Sequence, residues 1–494
     1  MIRTNWPKIA GITVLILFAF LLLIRLDWLQ LPGQPSPVQH LSKSEKAEAS
    51  DIWMQVMQHG RKIGYAHRIL TPQENGYGFA DELFMRINTM GVIQGLSFST
   101  QGTLNPDMTL ATFHVHLASN MFRFEAKGKI VGKTLTVLVR DNSRGEESRY
   151  EILLKEPPST SGNIAERMFR SGLKKGETKT FHIFDAASMG VRPVKATVLG
   201  EEDMRMGNTS RRLTKISVEF LGTRQHAWLD REGHLVREEG LLGLSLERVE
   251  EAEAKTGLDA DTAKGIDMTE LASIASNKPI QEPQKLTVLK MRLLGIEDRR
   301  FALSGGRQLY QNGVLTIRKE FLAGEEAKRD PAKENLADHL RPSPFIQSDH
   351  PDIIDALKGI VAPNDGPGAK SKKIVHWVYH HLEKQPVLSV SNAVETLKQR
   401  RGDCTEHAVL VAALARAAGI PATIETGLVY QRGRFYYHAW NVFWLGEGKG
   451  WMTADAVFNQ IPADVTHIRF VRGEMQEQLD LIGLIGRLQV EIIQ

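Results

Sequence analysis

The residues of this sequence that best fit catalytic chemistry lie near its C-terminal end. Cys404 is the only cysteine among 494 residues, His438 follows 34 positions later, and Asp455 follows 17 positions after that. A nucleophilic cysteine site combines a thiol, an imidazole that accepts the thiol proton, and a carboxylate that orients the imidazole. These three residues therefore form a candidate triad, provided that the fold brings them together.

The residues around Cys404 predict a helix that begins at the cysteine. Asp403 is a favourable N-cap residue and Glu406 stands three positions later, which is the spacing of a capping box. The helix runs to just before Gly419 and is apolar on nearly every side, so we expect it to be buried. Its first-turn amides and its dipole favour an anion at Cys404, as a thiolate nucleophile requires. Taken alone, the cysteine is equally well interpreted as a small buried hydrophobic residue.

Three strand-like segments follow this helix, and the turns at 431–434 and 446–450 separate them. We expect an antiparallel sheet beside the helix, with His438 on the second strand and Asp455 at the end of the third. A single histidine on an aromatic strand is more often structural, but the ordered set of three residues is much less common by chance. Trp440 shares a strand face with His438, where it either walls a substrate pocket or belongs to the core.

The segment from 400 to 463 resembles the catalytic core of the transglutaminase-like superfamily. The matching motifs are GDCTEHAVLVAALARAAGIPA at 402–422, YHAW at 437–440 and GWMTADAVFNQ at 450–460. The resemblance implies that Cys404 is the nucleophile, that His438 is the general base and acid, and that Asp455 orients the imidazole. Many members have Asp-Pro-Thr at the third motif, where this chain has Asp-Ala-Val. The carboxylate is kept, and the local turn is expected to differ.

The reaction that the resemblance implies is acyl transfer at an amide bond of a protein or peptide substrate. The thiolate attacks the carbonyl to give a thioester, which an amine resolves by transamidation or water resolves by hydrolysis. The sequence does not choose between a protease, an amidase and a cross-linking enzyme. We expect no cofactor and no metal, because no calcium-loop pattern occurs. The histidines at 376 and 380 lack a nearby third ligand, and those at 114 and 116 share one strand face, where packing is the more common role.

The N-terminus has the pattern of a single membrane-spanning helix. Residues 9–24 are uncharged and mostly apolar, Arg3 and Lys8 precede them, and Trp6 and Trp28 bracket them at a helical separation of about 33 Å. The basic residues place the N-terminus in the cytoplasm, so we expect an anchor in a bacterial inner (cytoplasmic) membrane with the bulk of the chain in the periplasm or outside the cell. A cleaved signal peptide is the less favoured alternative, because no small-x-small cleavage site follows.

Length and composition predict several domains and exclude a nucleic-acid-binding class. The net charge is only +4 for 62 basic and 58 acidic residues, and no dense basic stripe occurs. Changes in composition and hydrophobic pattern along the chain predict six regions. They are an anchor at 1–30, a tether at 31–50, a β-rich extracytoplasmic region at 51–250, a linker at 251–284, a connecting β region at 285–345 and a catalytic domain at 346–494.

The predicted fold class is therefore α+β, with an N-terminal transmembrane helix, a β-rich middle region and a papain-like or transglutaminase-like C-terminal core. The favoured function is a membrane-anchored cysteine enzyme. Two alternatives stay open. One is a scaffold that keeps the fold without turnover, and the other is a carrier or assembly factor that binds a ligand through the β-rich region.

Overall fold

Strands dominate the structure, which is 50% strand and 20% helix. The predicted α+β class is therefore wrong, and the protein is mostly β. The computed structural model describes residues 49–493 apart from 120–122, 141–146, 186–189, 207–208, 259–266, 297–299, 321–334 and 388–391. The predicted transmembrane segment at 9–24 lies outside the described residues. Within the described ranges, no helix combines the length and apolar character needed to cross a membrane.

Fourteen strands from the first half of the chain form one sheet, in the order β8-β7-β6-β5-β4-β3-β2-β1-β14-β13-β12-β11-β10-β9. Neighbouring strands pair antiparallel, because most of them follow each other through tight turns. The strands are β1 Ser50–Gln58, β2 Arg61–Gln73, β3 Gly76–Thr89, β4 Val92–Leu104, β5 Leu110–Ser119, β6 Arg123–Val131, β7 Thr134–Arg140, β8 Glu147–Leu153, β9 Thr178–Asp185, β10 Gly190–Met206, β11 Thr209–Phe220, β12 Thr223–Leu229, β13 Leu235–Glu239 and β14 Leu244–Val249.

Alternation along these strands gives the sheet one buried face. In β1, Ile52, Met54 and Val56 are buried at every second position, while the residues between them are partly exposed. Met168, on a helix that follows β8, is fully buried in the same cluster. The two-residue periodicity read from the sequence thus corresponds to a real sheet face, but the strands join into a single sheet that extends well beyond any one hairpin.

Eight α-helices lie among the described residues, five of them in the C-terminal part. They are α1 Ile164–Arg170, α2 Glu251–Lys255, α3 Met268–Ala272, α4 Pro351–Lys358, α5 Pro367–His381, α6 Ala393–Gln399, α7 Cys404–Ala417 and α8 Met475–Gln478.

Three smaller sheets complete the C-terminal part. Their orders are β15-β22-β21-β24 with β23 also paired to β22, then β17-β18-β16-β25, and the parallel pair β19-β20. The strands are β15 Ile274–Ala275, β16 Val288–Leu294, β17 Gln308–Gln311, β18 Val314–Arg318, β19 Glu383–Lys384, β20 Arg401–Gly402, β21 Ala422–Gln431, β22 Arg434–Trp444, β23 Trp451–Ala454, β24 Ile468–Arg472 and β25 Gln489–Ile492.

Helix α7 is the centre of the C-terminal core. All its residues from Glu406 to Arg416 are buried. One side chain cluster joins Leu410 and Leu414 of α7 to Val378 of α5 and Phe443 of β22. The apolar surface around the whole helix explains this position, because a helix without a polar face is stable only when neighbours cover every side. The packing fixes the start of α7 against the β22 sheet, where the candidate site lies.

Candidate active site

The start of α7 is held by the predicted capping box, which the structure confirms. The backbone N–H of Thr405 donates to Asp403 Oδ1 at 2.9 Å, and the backbone N–H of Asp403 donates to Glu406 Oε2 at 2.9 Å. These bonds satisfy two amides of the helix end and set Cys404 as the first helical residue. Burial and the neighbouring Glu406 raise the pKa of Asp403 well above its usual range. The helix start therefore carries less negative charge beside the thiol than two ionised carboxylates would give.

The residue before the capping box is a glycine because the side chain of the box lies against it. A Cβ added at Gly402 would lie 2.2 Å from the Cβ of Glu406. Gly402 also belongs to β20, which pairs in parallel with β19 through Lys384. The nucleophile is thus placed by a short strand on one side and a buried helix on the other.

Cys404 and His438 lie side by side in the structure. The thiol is partly exposed, and His438 is 7% exposed on β22. Burial lowers the pKa of His438, but the carboxylate of Asp455 and the sulfur of Cys404 outweigh it, and the pKa rises to about 9. Because Nε2 of His438 bonds Asp455, Nδ1 is the nitrogen left to exchange a proton with the thiol.

Asp455 completes the predicted set. Its Oδ2 lies 2.6 Å from His438 Nε2, and the residue is 1% exposed. Burial opposes ionisation, yet the ring of His438 and a second imidazole hold the pKa of Asp455 far below its usual range. An ionised Asp455 can only accept, so it fixes the tautomer and the orientation of His438. The structure brings the three sequence-derived residues into one continuous arrangement.

The turn after Asp455 shows how the chain accommodates Ala-Val in place of Pro-Thr. Asp455 Oδ1 accepts the backbone N–H of Val457 at 2.7 Å. The backbones of Asp455 and Gln460 exchange two hydrogen bonds of 2.8 and 2.9 Å. These bonds immobilise the carboxylate without a proline at position 456.

Trp440 is buried beside His438. It is 1% exposed, and its ring stacks near that of His438 with centroids 6.2 Å apart. Its Nε1–H donates to Glu425 Oε2 at 3.0 Å. This burial corresponds to the core interpretation of Trp440, with the ring packed beside the imidazole, and its role as a wall of a substrate pocket stays a prediction.

Glu425 is itself held by two arginines. Arg469 Nη1 and Arg472 Nη2 lie 3.1 and 2.7 Å from Glu425 Oε1. Burial opposes the charge of Glu425, but these guanidinium groups lower its pKa to about 2. The pairing keeps the carboxylate ionised inside the core, where it anchors Trp440 behind the triad.

His467 is a functional candidate that sequence reasoning missed. It is fully buried directly before β24, and its Nε2 lies 2.9 Å from Asp455 Oδ2, the same oxygen that meets His438. Its Nδ1 lies 3.3 Å from Asp464 Oδ1. Only the polar run Asp-Val-Thr-His before an apolar strand hints at it in the sequence. Nothing in that run connects it with Asp455.

Two groups of side chains in the described part of the chain bring three donor atoms of metal-binding type within 4.8 Å of one another. The first is His114, His116 and Glu125, on β5 and β6. Lys127 and Arg140 already lie 3.2 and 3.5 Å from the Glu125 carboxylate. Two resident cations beside the only carboxylate of the group disfavour a third, so we assign no metal there.

The second group is His438, Asp455 and His467. Their donor atoms hydrogen-bond one another at 2.6 and 2.9 Å, which is the contact expected between protonated imidazole nitrogens and a carboxylate. We assign no metal to this group either.

Several solved structures resemble the chain at low similarity, and no curated protein matches it. A cysteine protease candidate from Cytophaga hutchinsonii is 17% identical over 41% of this chain and 83% of its own, with a TM-score of 0.25. A beta-barrel-like protein from Brucella abortus, with a domain of unknown function, is 12% identical over 41% and 94%, with a TM-score of 0.31. A protease candidate from Parabacteroides distasonis is 12% identical over 81% and 68%, with a TM-score of 0.19.

A family match covers the site itself. The family model of the transglutaminase-like superfamily matches residues 355–456, a range that contains Cys404, His438 and Asp455. The resemblance read from the three motifs is thereby confirmed for this part of the chain. Residues 355–456 of this protein are therefore similar to the transglutaminase-like superfamily.

Proposed function

We propose that this protein is a cysteine enzyme that transfers or hydrolyses acyl groups at amide bonds of proteins or peptides. The observation that carries the proposal is the contact series from the partly exposed Cys404 through His438 to the buried Asp455. A thiol, an imidazole and a carboxylate in this order form the acid–base couple that thiol nucleophiles use.

The chemistry assigns one role to each residue. His438 accepts the proton of the Cys404 thiol, and the sulfur forms a bond to the carbonyl carbon of the substrate. The charge that develops on the carbonyl oxygen lies near the backbone N–H of Cys404, at the positive end of α7. His438 then gives the proton to the leaving nitrogen, the C–N bond breaks, and a thioester remains. Water or an amine attacks the thioester, His438 takes its proton, and the thiolate leaves.

Burial distinguishes the two ends of this arrangement. Asp455 and Trp440 are 1% exposed, whereas Cys404 keeps part of its surface in contact with solvent. The substrate therefore approaches from the thiol side, and the carboxylate end is shielded from water. In such an environment the charge–charge interaction between Asp455 and His438 is stronger than at the surface.

A second candidate function rests on the fourteen-stranded sheet. An open cavity of about 620 Å³ lies on this sheet and is lined by Phe79, Phe113, His114 and Lys127 among others. The side chains of Phe79, Phe113 and Ile69 would suit a ligand with an apolar body. Native mass spectrometry of the purified full-length protein tests this function, because a retained ligand adds its mass, and consistent recovery of the bare protein speaks against it.

Substrate turnover tests the enzyme proposal directly. Labelled glutamine-containing peptides are incubated with the full-length protein, with and without an added primary amine, and Cys404→Ala serves as the matched control. We expect cleaved or deamidated peptide without amine, or a conjugate with it, and an acyl adduct on the wild-type protein only. Absence of product and adduct in a folded wild-type protein across a diverse peptide set would overturn the proposal.

A further inference from the structure

His467 sits between two carboxylates that are both buried with it. Its Nε2 lies 2.9 Å from Asp455 Oδ2 and its Nδ1 lies 3.3 Å from Asp464 Oδ1. His467 is fully buried and Asp464 is 7% exposed. The ring of His467 is therefore shielded from solvent. Among the described residues that contact the ring, Asp455 and Asp464 are its hydrogen-bond acceptors.

The hydrogen bonds around Asp464 show that it is an acceptor. Its Oδ1 accepts the backbone N–H and the hydroxyl of Thr466 at 2.9 and 2.6 Å, and its Oδ2 accepts the side-chain amide of Gln460 at 3.0 Å. Donors on both oxygens stabilise the ionised form. Asp455 is an acceptor for the same reason, since it receives His438 and the backbone N–H of Val457.

A ring with a carboxylate at each nitrogen must carry a proton on both. A neutral imidazole has one N–H and one lone pair, and the lone pair would face a carboxylate oxygen. The direction of the pKa of His467 agrees: burial lowers it, but the bonds and charges of Asp455 and Asp464 outweigh burial and raise it.

We propose that His467 is a charged positioning residue of the triad, held as an imidazolium by Asp464. The charged ring of His467 fixes the Asp455 carboxylate and weakens the attraction of that carboxylate for the His438 proton. The inference rests on the proposed function for its catalytic meaning. The charges then alternate from Asp464 through His467 and Asp455 to His438 and the Cys404 sulfur.

Other charged groups near His467 leave this assignment intact. Arg307 donates to the backbone oxygen of His467 at 3.1 Å, and Glu320 lies 3.9 Å from Arg307. Burial lowers the pKa of His407. On β24, which begins directly after His467, the charge of Arg469 is paired with Glu425 on the neighbouring strand β21. Aromatic rings of Trp440 and Phe458 cover the remaining faces of His467.

The charge of His467 lowers the basicity of His438. The ring centroids of His438 and His467 are 5.8 Å apart, so two imidazolium charges repel across a dry interior. Removing the charge of His467 makes His438 a stronger base. Its proton is then held to higher pH, and it is given up less readily to the leaving nitrogen. A residue that only filled space would have no such effect on His438.

The first experiment measures the protonation of His438 through the reactivity of Cys404. The rate of Cys404 alkylation by iodoacetamide is measured from pH 4 to 10, and its upper inflection reports the loss of the His438 proton. In His467→Gln we expect this inflection to rise by about one pH unit. The matched control is His114→Gln, the same replacement at a histidine–carboxylate pair on β5, and it leaves the profile unchanged. An inflection in His467→Gln that coincides with the wild type overturns the proposal.

The second experiment observes the protonation of the histidine rings directly. It does not depend on catalysis or on the folding of His467→Gln. Histidine ring nitrogens are observed by ¹⁵N NMR in the wild type and in Asp464→Asn. We expect His467 to be doubly protonated between pH 6 and 8 in the wild type and to lose one proton in Asp464→Asn. A neutral His467 in the wild type at pH 7 overturns the proposal. If these rings behave as expected and no peptide is turned over, the proposed function fails while the charge assignment stands.

Discussion

His438 and Asp455 meet through a 2.6 Å hydrogen bond although they belong to different segments of the sheet. Strand β22 carries His438, and β23 pairs antiparallel with β22 and ends one residue before Asp455. The paired backbone bonds between Asp455 and Gln460 close the turn that follows. The triad geometry is therefore a property of one antiparallel strand pair and its turn, with α7 supplying the sulfur.

Asp455→Asn should lower the basicity of His438. The neutral amide removes the charge that raises the pKa of His438 to about 9, while burial, which lowers it, remains. We expect the upper inflection of Cys404 alkylation to move down by about two pH units. Asp355→Asn is the control, because Asp355 forms an exposed pair with Lys358 on α4. An unchanged inflection in Asp455→Asn would show that the carboxylate does not act on the imidazole.

The raised pKa of His438 also predicts how stability depends on pH. The folded state binds this proton more tightly than the unfolded state, so the contribution is complete below pH 6.5 and is lost as pH rises to about 9. The difference corresponds to about 3 kcal/mol. Unfolding midpoints in urea are compared at pH 6.5 and pH 9 for the wild type and His438→Gln. The wild type should lose more stability than the variant over this interval, and equal losses would contradict the assignment.

The lowered pKa of Glu425 predicts that the protein loses stability in acid. Its folded pKa of about 2 lies below the ordinary 4.5, so its contribution is present above pH 4.5 and is lost as pH falls toward 2. Glu425→Gln leaves Arg469 and Arg472 without their buried partner and should cost about 3–5 kcal/mol at pH 7. It should also remove part of the acid sensitivity of the wild type.

The control for this prediction is an exposed pair of the same type. Glu491 lies 2.8 Å from Arg292, and both side chains are about half exposed. Glu491→Gln should cost less than about 1 kcal/mol, because solvent screens surface ion pairs. Denaturant unfolding at pH 7 compares the two variants, and similar costs for both would argue that the Glu425 network is not a buried ion pair in solution.

Gly402→Ala should disturb the start of α7. The new methyl group would lie 2.2 Å from the Cβ of Glu406, so either the strand β20 or the capping box must shift. We expect a loss of about 1–3 kcal/mol and slower alkylation of Cys404 at neutral pH. Gly366→Ala is the control, since a Cβ there meets nothing within 4 Å. Equal effects of the two substitutions would mean that close packing at Gly402 is unimportant.

Helix α7 could be predicted from the sequence because its signals are local. Asp403 and Glu406 define the cap, and Gly419, at φ +77°, follows the end of the helix. The residues that back the triad could not be read in this way. Glu425 meets Arg469 and Arg472 only when β24 pairs with β21, and His467 meets Asp455 only in the folded chain. Such long-range contacts leave no periodic trace in the sequence.

The fold class was wrong for a related reason. Alternation in short runs such as IWMQVM correctly indicated strands, as the burial of Met54 and Val56 shows. It did not reveal how far each strand extends or that fourteen of them join edge to edge. Strand β10, Gly190–Met206, carries charged residues along its length, because its far end is exposed on both faces. A strand of that kind has a weak alternation pattern, and the strand content of the chain was underestimated.

The reactivity of the single thiol tests the central claim most directly. Cys404 is the only cysteine in the chain, so thiol alkylation by iodoacetamide reports on this residue alone. At pH 6 the wild type should be alkylated at least about ten times faster than His438→Gln, because the imidazolium stabilises the thiolate. Equal rates in both proteins, following the pH dependence of an ordinary thiol, would contradict the triad.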